Sequence, residues 1–121
     1  MEPHLVQCLA SIGNAALEKM LKNLRPEGFV CVNDRTAGRL MQSLLSLGHR
    51  IPRDFKIVAI DDVECAKLLP VPLTTIHQPC GEIGQAAMAA MLDRIKDPNM
   101  LARDILLDCR LVVRASCGST S

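Results

Sequence analysis

The sequence predicts an α/β fold built on an open parallel sheet in three layers. Two short apolar runs, at residues 28–32 and 55–60, have the continuous hydrophobicity of strands buried on both faces. An amphipathic helical pattern separates them, and the three elements follow one another in about 30 residues, the size of a βαβ unit. Because such a crossover joins parallel strands, these two strands are expected to be parallel, with a right-handed connection.

The first two elements are a helix and a strand. One helix face is predicted from apolar residues at the i, i+3, i+4, i+7 spacing: Leu17, Met20, Leu21 and Leu24. Asn14 is the predicted N-cap, since its side chain can accept from the first free backbone amides. Pro26 ends the helix, because the residue before a proline disfavours helical geometry. The strand at 28–32 follows and ends at Asn33.

A second helix and a second strand complete the βαβ unit. The helical stripe consists of Ala37, Leu40, Met41, Leu44 and Leu45. Gly48 stands just past the helix end, where glycine is the favoured residue. A loop over residues 50–54 leads into the strand at 55–60, which ends at the pair Asp61-Asp62.

Three further elements are predicted beyond this unit. Residues 73–76 are rich in strand formers, and a helix is predicted from 81 to 96. Its apolar side consists of Ile83, Ala87, Ala90, Met91 and Ile95. A last strand is predicted over 105–113, where Leu107, Cys109, Leu111 and Val113 alternate with more polar residues, so that one face is expected to be wetter.

Length and charge exclude several classes of protein. The chain has 121 residues and a formal net charge of +1, which fits one domain and disfavours strong binding to nucleic acid by this segment alone. No apolar run reaches the length of a membrane span, and the amino terminus lacks the features of a signal peptide. We therefore expect a cytoplasmic protein with no membrane partner.

The cysteines and histidines do not predict a metal site. No two of the six cysteines lie within four residues of each other, and the three histidines share no helical spacing. Reduced thiols are expected, since a chain with this apolar content needs no disulfides. No nucleophile is visibly paired with a base, and no nucleotide-binding glycine motif is present. We therefore expect no cofactor, no metal and no enzymatic activity.

Two polar pairs are the candidate binding residues. Asn33-Asp34 and Asp61-Asp62 both follow strands, and the carboxyl ends of strands are where open α/β sheets bind ligands. Their amide and carboxylate groups suit sugar hydroxyls or the edge of a heterocycle. The alternative is that these residues merely cap the helix or turn that follows, and for Asn33-Asp34 alone it is the better interpretation. A phosphoacceptor interpretation of Asp61-Asp62 is disfavoured because no later strand supplies the further Asp and Lys.

Several segments, taken in order, resemble the effector domain of LacI/GalR-type transcriptional repressors. The resemblance covers roughly residues 26–118 and is carried by residues 26–34, Ala37, residues 47–54, residues 57–62, residues 72–79, Gly84 and residues 111–116. Each motif is weak singly, and together they are specific because they occur in register. One departure is Ile60, which stands where the family usually has an aromatic residue.

The resemblance implies the C-terminal lobe of a periplasmic-binding-protein-like (type I) fold, in which two α/β lobes enclose a ligand cleft. It implies that Asn33 and Asp61 hydrogen-bond a small polar effector, a sugar by preference, while Asp34, Asp62 and Gln78 support them. Residues 35–47 and 68–73 resemble parts of a dimer interface. Residues 74–78 and 107–113 resemble the crossings between the lobes.

The resemblance also implies what lies outside this segment. The whole chain, 1–121, is expected to be a partial effector-binding domain without the DNA-binding headpiece, so that DNA is a partner only through that headpiece. Residues 80–97 resemble a helix of the missing N-terminal lobe, whose apolar face would be exposed here. A homodimer or higher homo-oligomer is therefore expected. The alternative function is a solute-binding protein of the same fold that serves transport.

Overall fold

The computed structural model describes residues 13–119. Helices and strands alternate along the chain as an α/β fold requires. In chain order they are α1 (Asn14–Leu24), β1 (Gly28–Val30), α2 (Asp34–Ser46), β2 (Lys56–Asp61), α3 (Cys65–Leu68), β3 (Thr74–His77), α4 (Cys80–Lys96), β4 (Arg110–Val112) and a 3-10 turn (Ala115–Cys117). The short α3 was not predicted, because four residues are too few to show a helical period.

The four strands form one sheet in the order β1-β2-β3-β4. The pairs β1–β2 and β2–β3 are parallel, which confirms the predicted arrangement of the βαβ unit. The pair β3–β4 is antiparallel, with Thr75 opposite Val112 and His77 opposite Arg110. The prediction of an entirely parallel sheet is therefore wrong at this one edge, where the chain returns in the opposite direction.

The core lies between one face of the sheet and the helices α1 and α2. The predicted helical stripes supply most of its side chains, and β2 adds two, so that the buried set includes Leu17, Leu21, Ala37, Leu40, Met41, Leu44, Ile57 and Ala59. The two helices also contact each other directly, since Asn14 Nδ2 donates to Ser46 Oγ across 3.3 Å. This packing places the amino end of α2 at the edge where β1 and β2 end.

The opposite face of the sheet is uncovered along β1. Phe29 lies opposite Ile57 in the register, so Val30 points to the other side of the sheet. Val30 is 82% exposed and Val32 is 68% exposed. Because neither α1 nor α2 lies on that side, the third layer of the predicted three-layer fold does not cover β1 in the described part of the chain.

Three boundaries differ from the predicted ones. The N-cap of α1 is Gly13, whose carbonyl accepts from Ala16 and Leu17, and Asn14 is already helical, so the predicted Asn14 cap is wrong. The first strand stops at Val30 rather than at residue 32. Strand β2 is shifted by one residue relative to the prediction, so that Asp61 is its last residue.

The helix ends follow the predicted signals. Helix α1 ends at Leu24, just before the Arg25-Pro26 pair, as Pro26 predicted. Gly48 follows α2 with a φ of +83°, which confirms its predicted place past the helix end. Its amide donates to Leu45 O, and the amide of His49 donates to Leu44 O. These bonds satisfy carbonyls that the helix itself leaves unpaired.

The last strand differs most from the prediction, whereas the helix before it agrees with it. Strand β4 has three residues, whereas nine were predicted, because it pairs only along β3 and residues 105–109 have no strand partner. The alternation did not predict burial either, since Leu111 is 62% exposed. Helix α4 covers the predicted residues and contributes no buried side chain. Ile83, Ala87 and Met91 are exposed on it, as expected, while Ala90 is half-buried.

Candidate functional site

The predicted binding residues meet at one edge of the sheet. Strands β1 and β2 are parallel neighbours, so their carboxyl ends lie side by side. Asn33 and Asp34 follow β1, and Asp61 and Asp62 stand at the end of β2. Strand β3 is parallel to β2 and brings Gln78 to the same edge, directly after its last residue.

Asn33 caps helix α2. Its Oδ1 accepts from the backbone amide of Thr36 at 2.8 Å, and its backbone is extended, as an N-cap requires. This is the alternative role that the sequence favoured for the pair. The side-chain amide of Asn33 can still donate to a ligand, because the cap uses the oxygen only.

Asp34 is a fully buried carboxylate with two hydrogen-bond donors. Thr75 Oγ1 donates to its Oδ1 at 2.5 Å, and the amide of Val63 donates to its Oδ2 at 2.9 Å. The side chain also lies in the first turn of α2, where the helix dipole favours a negative charge. Asp34 therefore joins α2 to β3 and to the turn that follows β2.

Asp61 and Gln78 contact each other at the mouth of a cavity. Gln78 Nε2 donates to Asp61 Oδ1 at 3.1 Å. The other carboxylate oxygen, Oδ2, has no hydrogen-bond partner within residues 13–119 and can accept from a ligand. The backbone of Asp61 has a φ of +130°, which a residue with a Cβ rarely adopts. Such geometry is often found at ligand-binding positions.

Asp62 is held by two side chains. Its Oδ1 accepts from Arg114 Nη2 at 2.6 Å, and its Oδ2 lies 3.0 Å from His77 Nδ1. Burial raises the pKa of the Asp62 carboxyl, but hydrogen bonds from Arg114 and then His77 outweigh it, so that the pKa lies below its ordinary value. The carboxylate form of Asp62 is therefore favoured.

A cavity of about 380 Å³ opens beside these groups. Its lining consists of Asp61, Asp62, Val63, His77, Gln78, Pro79, Cys80, Gly81 and Glu82. The carboxylates and the Gln78 amide can exchange hydrogen bonds with a polyhydroxylated or N–H-bearing molecule. Asn33 and Asp34 are not in this lining, so the cavity brings together Asp61, Asp62 and Gln78 but not the other two predicted residues.

The described residues offer little for other chemistry. Residues 13–119 contain no group of three potential metal ligands. In the same range no helix is both long and apolar enough to cross a membrane. The aromatic pair Phe29 and Phe55, with ring centroids 5.7 Å apart, supplies no platform for a ligand here, because Phe55 precedes β2 at the other end of the sheet.

Two residues at the site were not predicted. His77 and Arg114 both contact Asp62, and Arg114 lies far from it along the chain. A cation near the end of the last strand was visible in the sequence, but nothing local shows which carboxylate it meets. The backbone of Arg114 lies beside Leu73 and Thr74 at the start of β3, and its guanidinium extends from there to Asp62.

Comparison with known proteins identifies relatives of this chain. The model of the periplasmic binding protein-like domain family matches residues 3–117. The ribose operon repressor of Haemophilus influenzae is 38% identical over 100 residues, which are 83% of this chain and 30% of that protein. The HTH-type transcriptional repressor PurR of Vibrio vulnificus is 42% identical over 90 residues, which are 74% of this chain and 27% of that protein.

A solved structure of the same kind superimposes on the fold. It is a LacI family transcriptional regulator from Enterococcus faecium with bound ribose, with a TM-score of 0.70 and 29% identity over 85% of this chain and 40% of that one. The present chain spans about a third of the length of the curated repressors it matches. The matched family model, the repressor relatives and the shared fold show that this chain belongs to the periplasmic binding protein-like domain family, in the form of a LacI/GalR-type effector-binding domain.

Proposed function

We propose that this chain is the effector-sensing part of a LacI-type transcription regulator and that Asp61 binds the effector. The observation that carries the proposal is the position of the Asp61 carboxylate. It lies at the carboxyl end of two parallel strand pairs, beside a cavity, with one oxygen held by Gln78 and the other available. Open α/β sheets bind their ligands at this edge.

The proposed effector is a small polyhydroxylated molecule, with ribose as the first candidate. A carboxylate accepts hydrogen bonds from sugar hydroxyls, and the Gln78 amide can both donate and accept. The names of relatives support the choice, since one is a ribose operon repressor and another structure holds ribose. Asn33 is proposed as a second contact through its side-chain amide, with Asp34 and Asp62 as supports.

The whole regulator is proposed to contain parts that this chain does not. Helix α4 has no buried residue, which supports its assignment to a second lobe whose sheet it would cover. The DNA contact is assigned to a separate headpiece, as the name of the HTH-type relative suggests. The proposal further includes a cytoplasmic homodimer that acts by binding, without catalysis. Effector binding would favour one lobe arrangement through its differential affinity.

Titration of the ¹⁵N-labelled 121-residue chain with ribose tests the proposal. One lobe supplies only part of a cleft, so the expected dissociation constant is about 1 mM or weaker. Ribose is expected to shift the amide signals of Asp61 and Gln78 and the side-chain amide of Gln78. The Asp61→Asn variant, which keeps the shape and removes the charge, is expected to lose these shifts.

Asp108→Asn is the matched control, since Asp108 is an exposed carboxylate that does not line the cavity. It is expected to bind ribose as the original chain does. Equal shifts in the Asp61→Asn variant, or no shift at the site at saturating sugar, would remove the assignment of Asp61 to ribose. The transport alternative gains no support, because these relatives carry the names of repressors and regulators.

A further inference from the structure

The turn that carries Asp61 has an unusual backbone. Asp61 and Asp62 are consecutive residues other than glycine, and their φ values are +130° and +59°. Residues with a Cβ rarely adopt such values, and two in succession persist only where the surrounding structure imposes them. The orientation of the Asp61 carboxylate therefore depends on whatever holds this turn.

Contacts from separate elements hold the turn. The Val63 amide donates to Asp34 at the start of α2. On the other side, Arg114 Nη2 donates to Asp62 Oδ1 at 2.6 Å, and Asp62 Oδ2 lies 3.0 Å from His77 Nδ1 at the end of β3. The side chain of Asp62 is 9% exposed and that of Arg114 is 14% exposed, so water competes little for their ion pair.

Arg114 is itself fixed at three points. Its Nη1 donates to the carbonyl of Leu73 at 2.9 Å, while Nη2 reaches Asp62. Its backbone amide donates to Thr74 Oγ1 at 2.8 Å. The planar guanidinium therefore bridges the residue before β3 and the turn after β2, which a lysine, with one ammonium group, cannot reproduce in the same geometry.

We propose that Arg114 is a positioning residue for effector binding. Arg114 does not line the cavity. It acts through Asp62, because their ion pair holds the turn in the conformation that orients the Asp61 carboxylate toward the ligand. This inference rests on the proposed function only in taking Asp61 as the effector contact. Arg114 also belongs to the segment after β4, so the ion pair couples this carboxy-terminal segment to the binding edge.

The test compares Arg114→Gln, Arg114→Lys and the control Arg110→Gln in the ¹⁵N-labelled chain. Arg110 is an exposed arginine on β4, opposite His77 in the register, so its variant removes the same charge nearby. Two quantities are measured: the amide shifts of Asp61, Asp62 and Val63 without ligand, and the dissociation constant for ribose. Unchanged amide shifts of the α1–α2 core show that each variant is folded.

Arg114→Gln is expected to move all three amide signals and to weaken ribose binding by about tenfold or more. Arg114→Lys, which keeps the charge, is expected to restore part of both, and Arg110→Gln to change neither. If Arg114→Gln does not fold, Arg114→Lys and Asp62→Asn carry the same comparison, with Asp62→Asn expected to move the three amide signals.

The two ideas fail in different ways. Amide signals of the turn that stay in place in folded Arg114 variants overturn the positioning role, whatever ribose does. Moved signals together with undiminished ribose affinity overturn it as well, since Asp61 would then be aimed without Arg114. A chain that binds no ribose before any substitution contradicts the proposed function for this sugar, while the amide comparison still decides whether Arg114 holds the turn.

Discussion

At the scale of single residues, the site consists of charges whose burial is compensated. Asp34 is completely buried, yet it accepts a hydroxyl and an amide hydrogen and lies at the positive end of α2. Asp62 is nearly buried and is matched by Arg114 and His77. A buried charge without such partners would destabilise the fold by several kcal/mol. Each carboxylate therefore stabilises this edge of the sheet only together with its partners.

The lowered pKa of Asp62 predicts how stability changes with pH. Because the folded-state pKa lies below the unfolded value of about 4, the contribution of Asp62 is fully present above that value. It is lost as the pH falls through the lower, folded-state pKa. The unfolding free energy of the Asp62→Asn variant is expected to be about 2 kcal/mol lower than that of the original chain at pH 7. As the pH falls, the unfolding free energy of the variant is expected to decrease less than that of the original chain.

Urea unfolding at several pH values between neutral and acid measures this effect. Asp108→Asn, an exposed control, is expected to change stability by less than about 0.5 kcal/mol. A variant Asp62→Asn that loses stability in acid as steeply as the original chain contradicts the assignment of that pH dependence to Asp62.

At the scale of elements, a side chain completes the start of the β2–β3 pair. Ser116 Oγ donates to Ile57 O at 2.6 Å and accepts from Thr74 N at 2.8 Å, so its hydroxyl lies between the two strands. The amide of Ser116 donates to Pro72 O at 3.0 Å. The 3-10 turn that contains Ser116 is thereby fastened to the sheet, and it positions Arg114 just before it.

Removal of this hydroxyl is expected to destabilise the fold. Ser116→Ala leaves a buried amide and a buried carbonyl without their partner, which costs about 1–3 kcal/mol. Chemical denaturation monitored by circular dichroism measures this loss of unfolding free energy. Ser119→Ala is the control because Ser119 is exposed in the same segment. Equal stability of the two variants would show that the bridge contributes nothing.

The helices and strands also show which sequence signals were sufficient to predict where an element begins and ends. Helix α2 was predicted nearly to its ends, because its apolar stripe, its cap at Asn33 and Gly48 all agree. The last strand was predicted three times too long, because its alternation carried no information about the short partner β3. Among the site residues, Asp61 and Gln78 do contact each other, but no local pattern showed that Asn33 lies outside the cavity lining.

At the scale of the whole molecule, apolar surface remains uncovered in two places. One is the sheet face with Val30 and Val32, and the other is α4, where Met88 is 54%, Met91 50% and Ile95 66% exposed. Exposed apolar patches of this kind promote association. In the proposed whole regulator the remainder of the effector domain would cover them, and in a preparation of the 121-residue chain a second copy can cover them.

Self-association of the chain is therefore expected. Light scattering over a range of concentrations is expected to give a mass above that of the monomer, rising with concentration, and Met91→Lys with Ile95→Lys is expected to lower it. Gln85→Lys is the control, since it adds a charge on the same helix at an exposed polar position. A single monomeric mass at every concentration contradicts this prediction.

The sequence by itself determined the fold class, the order of the main elements and the polar groups available at the strand ends. These features depend on local periodicity and on neighbours a few residues apart, which the sequence displays directly. Only the tertiary structure decided that β4 returns antiparallel, that Arg114 and His77 meet Asp62, and that Asp61 is held with a positive φ. Those outcomes depend on contacts between distant residues, and such contacts leave no periodic pattern along the chain.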